Sequence, residues 1–371
     1  MKKHSSSPSF LIVSLRYIGD VLLSTPLALS IKEQLPEAQV DYLVFEGTDG
    51  ILQKNPYVRS VLTIPSESKN ILFYTSLWNR YDYAIGTNPS DRTAFYCACG
   101  GRQSVGFSYL AKKEWWKKLL LNKCNFYNDQ IHIVPLILSQ IEFLGVPPKP
   151  RVVVGYDDND EKLMEAMLGK EDYILLHPYA RKQYKYWPAA SWAALADMIQ
   201  SKLGIRTVFT VSPDHNDKGH MDAITASVSS DILRFPKSVS LSQLAAALKN
   251  SKAYIGVDTV VTHMAAALDV PMIALFGPSL VRHFGPWPND YSGTTPYGHS
   301  GRVQRIGRIT VVQKNWSCVP CNQEICSITN KDQMECMTAI TAEEVLSELI
   351  GVMQTAPLQE TGDIENDESK G

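Results

Sequence analysis

Short β-rich runs alternate with amphipathic stretches along almost the whole chain, and that alternation admits few folds. A strand that passes through a helix to the next strand crosses over right-handed and lies parallel to its predecessor. In the first half, 10–15 reads as strand, 20–35 as helix, 40–45 and 61–64 as strands, then 83–85 as strand, 90–99 as helix and SVGF as strand. NDQIHIVPLILSQIEFLG reads as a helix closed by Gly145, and the stiff VPPKP after it suits a domain border between 146 and 165. The alternation then restarts: strands at 173–177, 206–211, 231–235, 253–257 and 272–277, with helices at 191–203, 241–250 and 260–268. The expected class is α/β, with two Rossmann-like parallel-sheet domains, 1–150 and 166–345. A helix end and a polar acidic tail, expected to be disordered, fill 346–371.

Open α/β sheets bind ligands at the carboxyl ends of their strands, so two such domains in tandem place the site between them. A formal net charge of −2 over 371 residues offers no field that would hold nucleic acid. The apolar run before Arg16 is too short for a signal-peptide core, and no run reaches the length of a membrane span. The reading is a cytoplasmic protein, in which the late cysteines Cys318, Cys321, Cys326 and Cys336 are not expected to be disulfides.

Neither G-x-G-x-x-G after a strand nor G-x-x-x-x-G-K-[ST] occurs, which weighs against a nicotinamide dehydrogenase and a P-loop enzyme. A phosphate cradle of another kind is spelled by YIGVDTVVTHMAAALDVP: a strand, then Asp258 and Thr259, then a helix of small residues whose free amides face the strand end. Taken alone, Asp258 or Thr259 would cap that helix, and His263 would be a core histidine. The loop HPYARKQYKYWP carries Arg181, Lys182 and Lys185, cations able to neutralise a departing phosphate; alone it reads as a solvated basic loop anchored by Trp187. In VSPDHNDKG, Asp214 or Asp217 could accept from ribose hydroxyls, although turn chemistry explains the same residues.

RYIGDVLLSTP puts Asp20 where the first strand ends and a helix begins. It is either a helix cap or a base facing the cradle, and the roles can coexist. The helix dipole is expected to hold it ionised, with a low pKa. The D-x-D of 158–160 lies before a helix and reads as N-terminal capping rather than a metal site. SYLAKKEWWKKLLLNK interleaves Lys112, Lys113, Lys117 and Lys118 with tryptophans, suited to a membrane interface or a phosphorylated glycolipid, or else to an ordinary surface helix. The C-x2-C-x4-C-x9-C run could hold a structural zinc, but bound metal is the less favoured reading beside disulfides or reduced thiols.

In order and spacing, RYIGDVLLSTP, NPYV, HPYARKQYKYWP, GVDTVVTHMAAALDVPMIALFGPS and the late cysteine run resemble glycosyltransferase family nine, the ADP-heptose:lipopolysaccharide heptosyltransferases. ARKQYKYW is most similar to the heptosyltransferase III branch. The resemblance implies a GT-B fold and inverting transfer of heptose without a metal. The first domain would take the inner-core lipopolysaccharide acceptor and the second the nucleotide sugar, ADP-heptose; from their place in the first domain, Arg16 and the lysine-rich stretch are expected on the acceptor side. The resemblance implies Asp20 as base, Lys185 on the diphosphate, Asp258, Thr259 and His263 in the donor run and Asp214 near the ribose; Arg181 and Val260 are expected beside the donor from their places in the same loops. It also implies work at the inner face of the inner membrane. Arg16, Val260 and Ala180–Arg181 depart from the residues common in the family. A catalytically silent nucleotide-sugar or glycan-binding protein on the same frame is the alternative.

Overall fold

The structure is a computed structural model and describes residues 7–66, 71–109, 114–212, 214, 217–289, 291–299, 301–330 and 333–355. Lys112, Lys113 and the acidic tail beyond 355 lie outside the described residues.

The first sheet holds β1 (Ser9–Ser14), β2 (Gln39–Phe45), β3 (Ser60–Ile64), β4 (Tyr81–Gly86), β5 (Gly101–Ser108) and β6 (Lys123–Phe126), in the order β3-β2-β1-β4-β5-β6. Every pairing in it is parallel. Successive β1 side chains enter different cores: Phe10 and Ile12 one, Leu11 and Val13 the other. Burial on both faces is what a parallel sheet between helix layers requires.

The second sheet holds β7 (Tyr173–His177), β8 (Arg206–Phe209), β9 (Ile232–Arg234), β10 (Ala253–Val257), β11 (Met272–Leu275), β12 (Val303–Ile306) and β13 (Ile309–Val312). Its order is β12-β13-β11-β10-β7-β8-β9, with only β12 antiparallel to its neighbour. The β12–β13 hairpin, turned at Gly307 with φ +54°, was not among the expected strands. Helix Ala342–Met353 buries Val345, Leu346, Leu349 and Val352 in the core on one face of this sheet.

The helix expected over 20–35 is two: α1 (Ile18–Leu23) and α2 (Thr25–Gln34). Pro26 has no N–H to give the preceding turn, and its ring crowds the carbonyl four residues back. The Thr25 hydroxyl donates to that Leu22 carbonyl at 2.8 Å, and the Ser24 hydroxyl to Val21 at 2.7 Å, so the break leaves both carbonyls satisfied. The helix expected over 128–145 is an α-helix over Ile133–Leu138 followed by 3₁₀ turns over Ser139–Leu144, ending at Gly145 with φ +66°.

The lobes share one apolar core, and polar bonds cross between them. His132 Nε2 lies 2.8 Å from the Gly285 carbonyl, Trp287 donates to Pro150 at 2.5 Å, and the Val152 amide donates to Asn289 at 2.8 Å. The carboxyl ends of β1 and β10 thereby face one cleft. A Cβ on Gly19 would meet His263 Cδ2 at 3.6 Å, so the backbone of α1 lies directly against helix Val260–Ala267.

Candidate active site

Asp20 sits in the first turn of α1, whose N-cap is Tyr17. It is therefore not the cap residue, yet the backbone amides of Tyr17 and Asp20 stabilise its charge. Arg16 Nε stands 3.5 Å from Asp20 Oδ1. The expected low pKa is not found. Burial raises the Asp20 pKa, and Arg16, the two amides and Lys185 offset it only in part. The reason is scale: a six-residue helix has a weak dipole, while taking a carboxylate out of water is costly.

Across the cleft, Lys185 Nζ donates to Asp258 Oδ2 at 2.6 Å, and the Ser279 hydroxyl donates to the same oxygen at 2.6 Å. Burial works against both charges, but the pair outweighs it: the Lys185 pKa is raised and the Asp258 pKa lowered. The largely buried Asp258 carboxylate, 11% exposed, is thus neutralised in place rather than left to repel an anion. Thr259 is the N-cap of helix Val260–Ala267 but makes no side-chain cap bond, so its hydroxyl and the first amides stay available to a ligand. Burial lowers His263 to about 4, which leaves the ring neutral near pH 7, and its Nδ1 has no hydrogen-bond partner among the described residues.

One cavity of about 520 Å³ is lined by Arg16 and Asp20 from the first lobe and by Lys185, Asp258, Thr259 and His263 from the second. Val260 lines it too. An adjoining cavity of about 820 Å³ is lined by Asp214, Asp217 and Phe235, and shares Arg181, Thr259 and Val260 with the first. Trp187 anchors the loop between β7 and helix Ala189–Leu203, fully buried and donating to the Ile340 carbonyl at 2.9 Å.

The lysine-rich stretch divides. Lys118 is exposed on helix Trp115–Leu120, but Lys117 is fully buried. Lys117 pairs with Asp91 at 3.0 Å and Glu114 at 2.9 Å and donates to the Pro89 carbonyl, so it is a core cation and not part of an acceptor surface. The helix cap is Asp157, one residue before the D-x-D: its side chain accepts from the Asn159 and Asp160 amides, while Asp160 of the D-x-D accepts from the Asp157 amide to complete a capping box and pairs with Lys54 at 2.7 Å.

Four groups escaped the sequence reading. Ser279 fixes Asp258; Tyr17 meets Arg181 across the lobes. Asn322 and Glu324, from the cysteine-rich segment, line the cleft, and Glu324 pairs with Lys182 at 2.9 Å. Ser279 had a signal, standing in a strand-end loop after β11; the others depend on chain crossings that no spacing encodes. The thiols of Cys318, Cys321, Cys326 and Cys336 are free, and burial with the other three sulfurs pushes Cys336 up to about 12. Among the described residues, no three His, Cys, Asp or Glu side chains are grouped to hold a metal ion.

The model of glycosyltransferase family 9 (heptosyltransferase) matches residues 73–304. The chain belongs to that family. As a family member it is a glycosyltransferase, and the GT-B arrangement of two Rossmann-like lobes is the one found here. Lipopolysaccharide heptosyltransferase 3 of Escherichia coli K12 is 28% identical over 296 residues, covering 74% of this chain and 83% of that protein. Lipopolysaccharide heptosyltransferase 1 of Pseudomonas aeruginosa is 24% identical over 370 residues, covering 91% and 96%. Among solved structures, a family 9 glycosyltransferase from Veillonella parvula superposes with TM-score 0.72 at 18% identity, covering 93% of this chain and 97% of that one. Heptosyltransferase WaaC of E. coli with ADP superposes with TM-score 0.68 at 18% identity, covering 93% and 99%. These likenesses to solved structures establish the fold.

Proposed function

We propose that this glycosyltransferase moves heptose from ADP-heptose to a heptose of the lipopolysaccharide inner core and inverts the anomeric carbon. The observation that carries the reading is the cavity with the Asp20 carboxylate on one wall and Lys185, Thr259 and a helix N-terminus on the other. A single displacement needs those roles on opposite sides of the sugar. Asp20 takes the proton of the acceptor hydroxyl; the oxygen forms its bond to the anomeric carbon as the bond to the diphosphate breaks. The raised pKa of Asp20 makes it a stronger base than a solvent-exposed carboxylate. Arg181, Lys185 and the amides after Thr259 take up the charge of departing ADP, so the reading assigns leaving-group stabilisation to the protein without a metal. The neighbouring cavity, with Asp214 and Asp217, would receive the nucleoside.

The relatives' names support heptose and lipopolysaccharide, and they favour the third heptosyltransferase branch. We assign acceptor binding to the lobe within 1–150 and donor binding to the lobe within 166–345, with Arg16 beside the acceptor. Among the described residues, no helix is long and apolar enough to cross a membrane. Trp115 and Leu119, 63% and 77% exposed, stand with Lys118 on one short helix, which supports peripheral contact with the inner face of the inner membrane.

The test is ADP release from ADP-heptose in the presence of truncated core, with and without EDTA. Asp20→Asn should keep ADP affinity and lose about 10²–10⁴-fold in kcat. Appreciable turnover by that variant overturns the assignment of the base. Binding of ADP with no release by the unaltered protein would make it a silent binder.

A further inference from the structure

In each sheet the strand order reverses at one place, between β1 and β4 in the first and between β7 and β10 in the second. Open α/β sheets take ligands in the crevice at such a reversal. In the second lobe the donor cradle stands there, since Arg181 and Lys185 follow β7 while Asp258 and Thr259 follow β10. The equivalent crevice of the first lobe holds a cavity of about 580 Å³, lined by Arg16 and Tyr17 after β1, Glu46 after β2, Asn88 and Ser90 after β4, and Tyr109 after β5. It shares Arg16, Tyr17, Thr48 and Arg181 with the cleft that holds Asp20, so the two spaces adjoin.

Asn88 is 3% exposed. Its carboxamide oxygen accepts from the Ser90 amide at 3.0 Å and the Thr93 hydroxyl at 3.1 Å, while its nitrogen has no hydrogen-bond partner among the described residues. A buried donor left unmatched costs free energy that an incoming oxygen acceptor would restore. Around it stand the Tyr109 ring, 52% exposed, and the exposed Glu46 carboxylate. A flat ring offers an apolar wall for the carbon face of a sugar, and the carboxylate and amide offer an acceptor and a donor for its hydroxyls. The turn carrying Asn88 is held from behind by buried Lys117, which donates to the Pro89 carbonyl.

We propose that this crevice is a subsite for one sugar ring of the acceptor, with the Asn88 amide donating to a hydroxyl, Glu46 accepting from another and Tyr109 covering the ring. It rests on the reading that the acceptor is a saccharide delivered to Asp20. Asn88 is then a specificity residue carried by the first lobe, in a crevice that Arg181 of the second lobe also borders.

The experiment compares the full chain with Asn88→Ala, Glu46→Gln and Tyr109→Ala, in two assays. One is saturation-transfer NMR with a heptose-containing core oligosaccharide. The other is steady-state ADP release with that oligosaccharide and ADP-heptose. The expected result is an acceptor KM raised about tenfold in Asn88→Ala and Tyr109→Ala, from loss of one hydrogen bond or one packing face, with kcat and ADP affinity nearly unchanged. Tyr109 and Glu46 are exposed, so their variants keep the test valid should Asn88→Ala fail to fold. Acceptor KM within twofold of the parent in the folded variants, or no oligosaccharide binding by the parent, overturns the subsite. Oligosaccharide binding that weakens in the variants, in a parent that releases no ADP, supports the subsite and rejects heptosyl transfer instead.

Discussion

The Arg181 guanidinium lies 4.2 Å from the centre of the Tyr17 ring, so a cation of the second lobe rests on the residue that begins the Asp20 helix of the first. Arg181 also lines both the cleft and the adjoining cavity proposed for the nucleoside. In the proposed reading, a diphosphate that draws Arg181 off the ring competes with Tyr17 for one guanidinium, and donor binding should then loosen this inter-lobe contact.

Tyr17→Ala removes that competitor. An exposed cation–π contact is worth about 0.5–1 kcal/mol, so ADP should bind roughly two- to fivefold more tightly by calorimetry. Weaker binding would show instead that the ring presents Arg181 to the phosphates.

Asp20 must be ionised to accept a proton, so kcat/KM should fall as pH drops through its raised pKa, above the ordinary 3.8. Arg16 is the strongest influence holding that pKa down. Arg16→Met should move the acid limb of the pH–rate profile to higher pH, measured at saturating donor. The stability sign follows the same shift. A carboxyl whose native pKa exceeds its unfolded value is tolerated fully below the unfolded pKa, and stability is lost as pH rises through the native one. Asp20→Asn should therefore melt above the parent at pH 7 and lose this advantage in acid.

Lys185→Ala strands the Asp258 carboxylate and, in the proposed reading, removes a leaving-group cation beside the incoming diphosphate. We expect kcat/KM to fall about 10²–10³-fold and melting temperature to drop. Adding Asp258→Asn should restore the melting temperature, because the uncompensated buried charge is gone, without restoring turnover. Recovery of turnover would show that Lys185 serves only to neutralise Asp258.

Lys117→Met should cost roughly 3 kcal/mol in denaturant unfolding, since Glu114 and the Pro89 carbonyl lose a buried partner. Lys118→Ala, at an exposed position, should change stability by less than about 0.5 kcal/mol. If the Trp115 helix meets a membrane, Lys118→Ala should weaken binding to anionic liposomes. Equal losses of liposome binding by both variants, each folded, would contradict the division of the two lysines.

Much of the fold was legible because parallel sheets write themselves as apolar runs: FLIVS, YILLH, AYIGV and MIAL are all strands at the expected places. The motif loops were legible as well, since strand-end chemistry is local. Pro26 splits a helix that periodicity alone joined, and the β12–β13 hairpin carried no motif to mark it.

The sequence by itself determined the two α/β lobes and the residue types at their strand ends, because hydrophobic periodicity and turn chemistry act over a few neighbouring residues. Only the tertiary structure decided that Lys117 is interior while Lys118 is not, that Ser279 and Lys185 share one Asp258 oxygen, and that Asp20 is buried enough to raise its pKa. Burial and charge pairing are set by groups far apart in the chain, and their energies appear only once distant strands have been brought to one cleft.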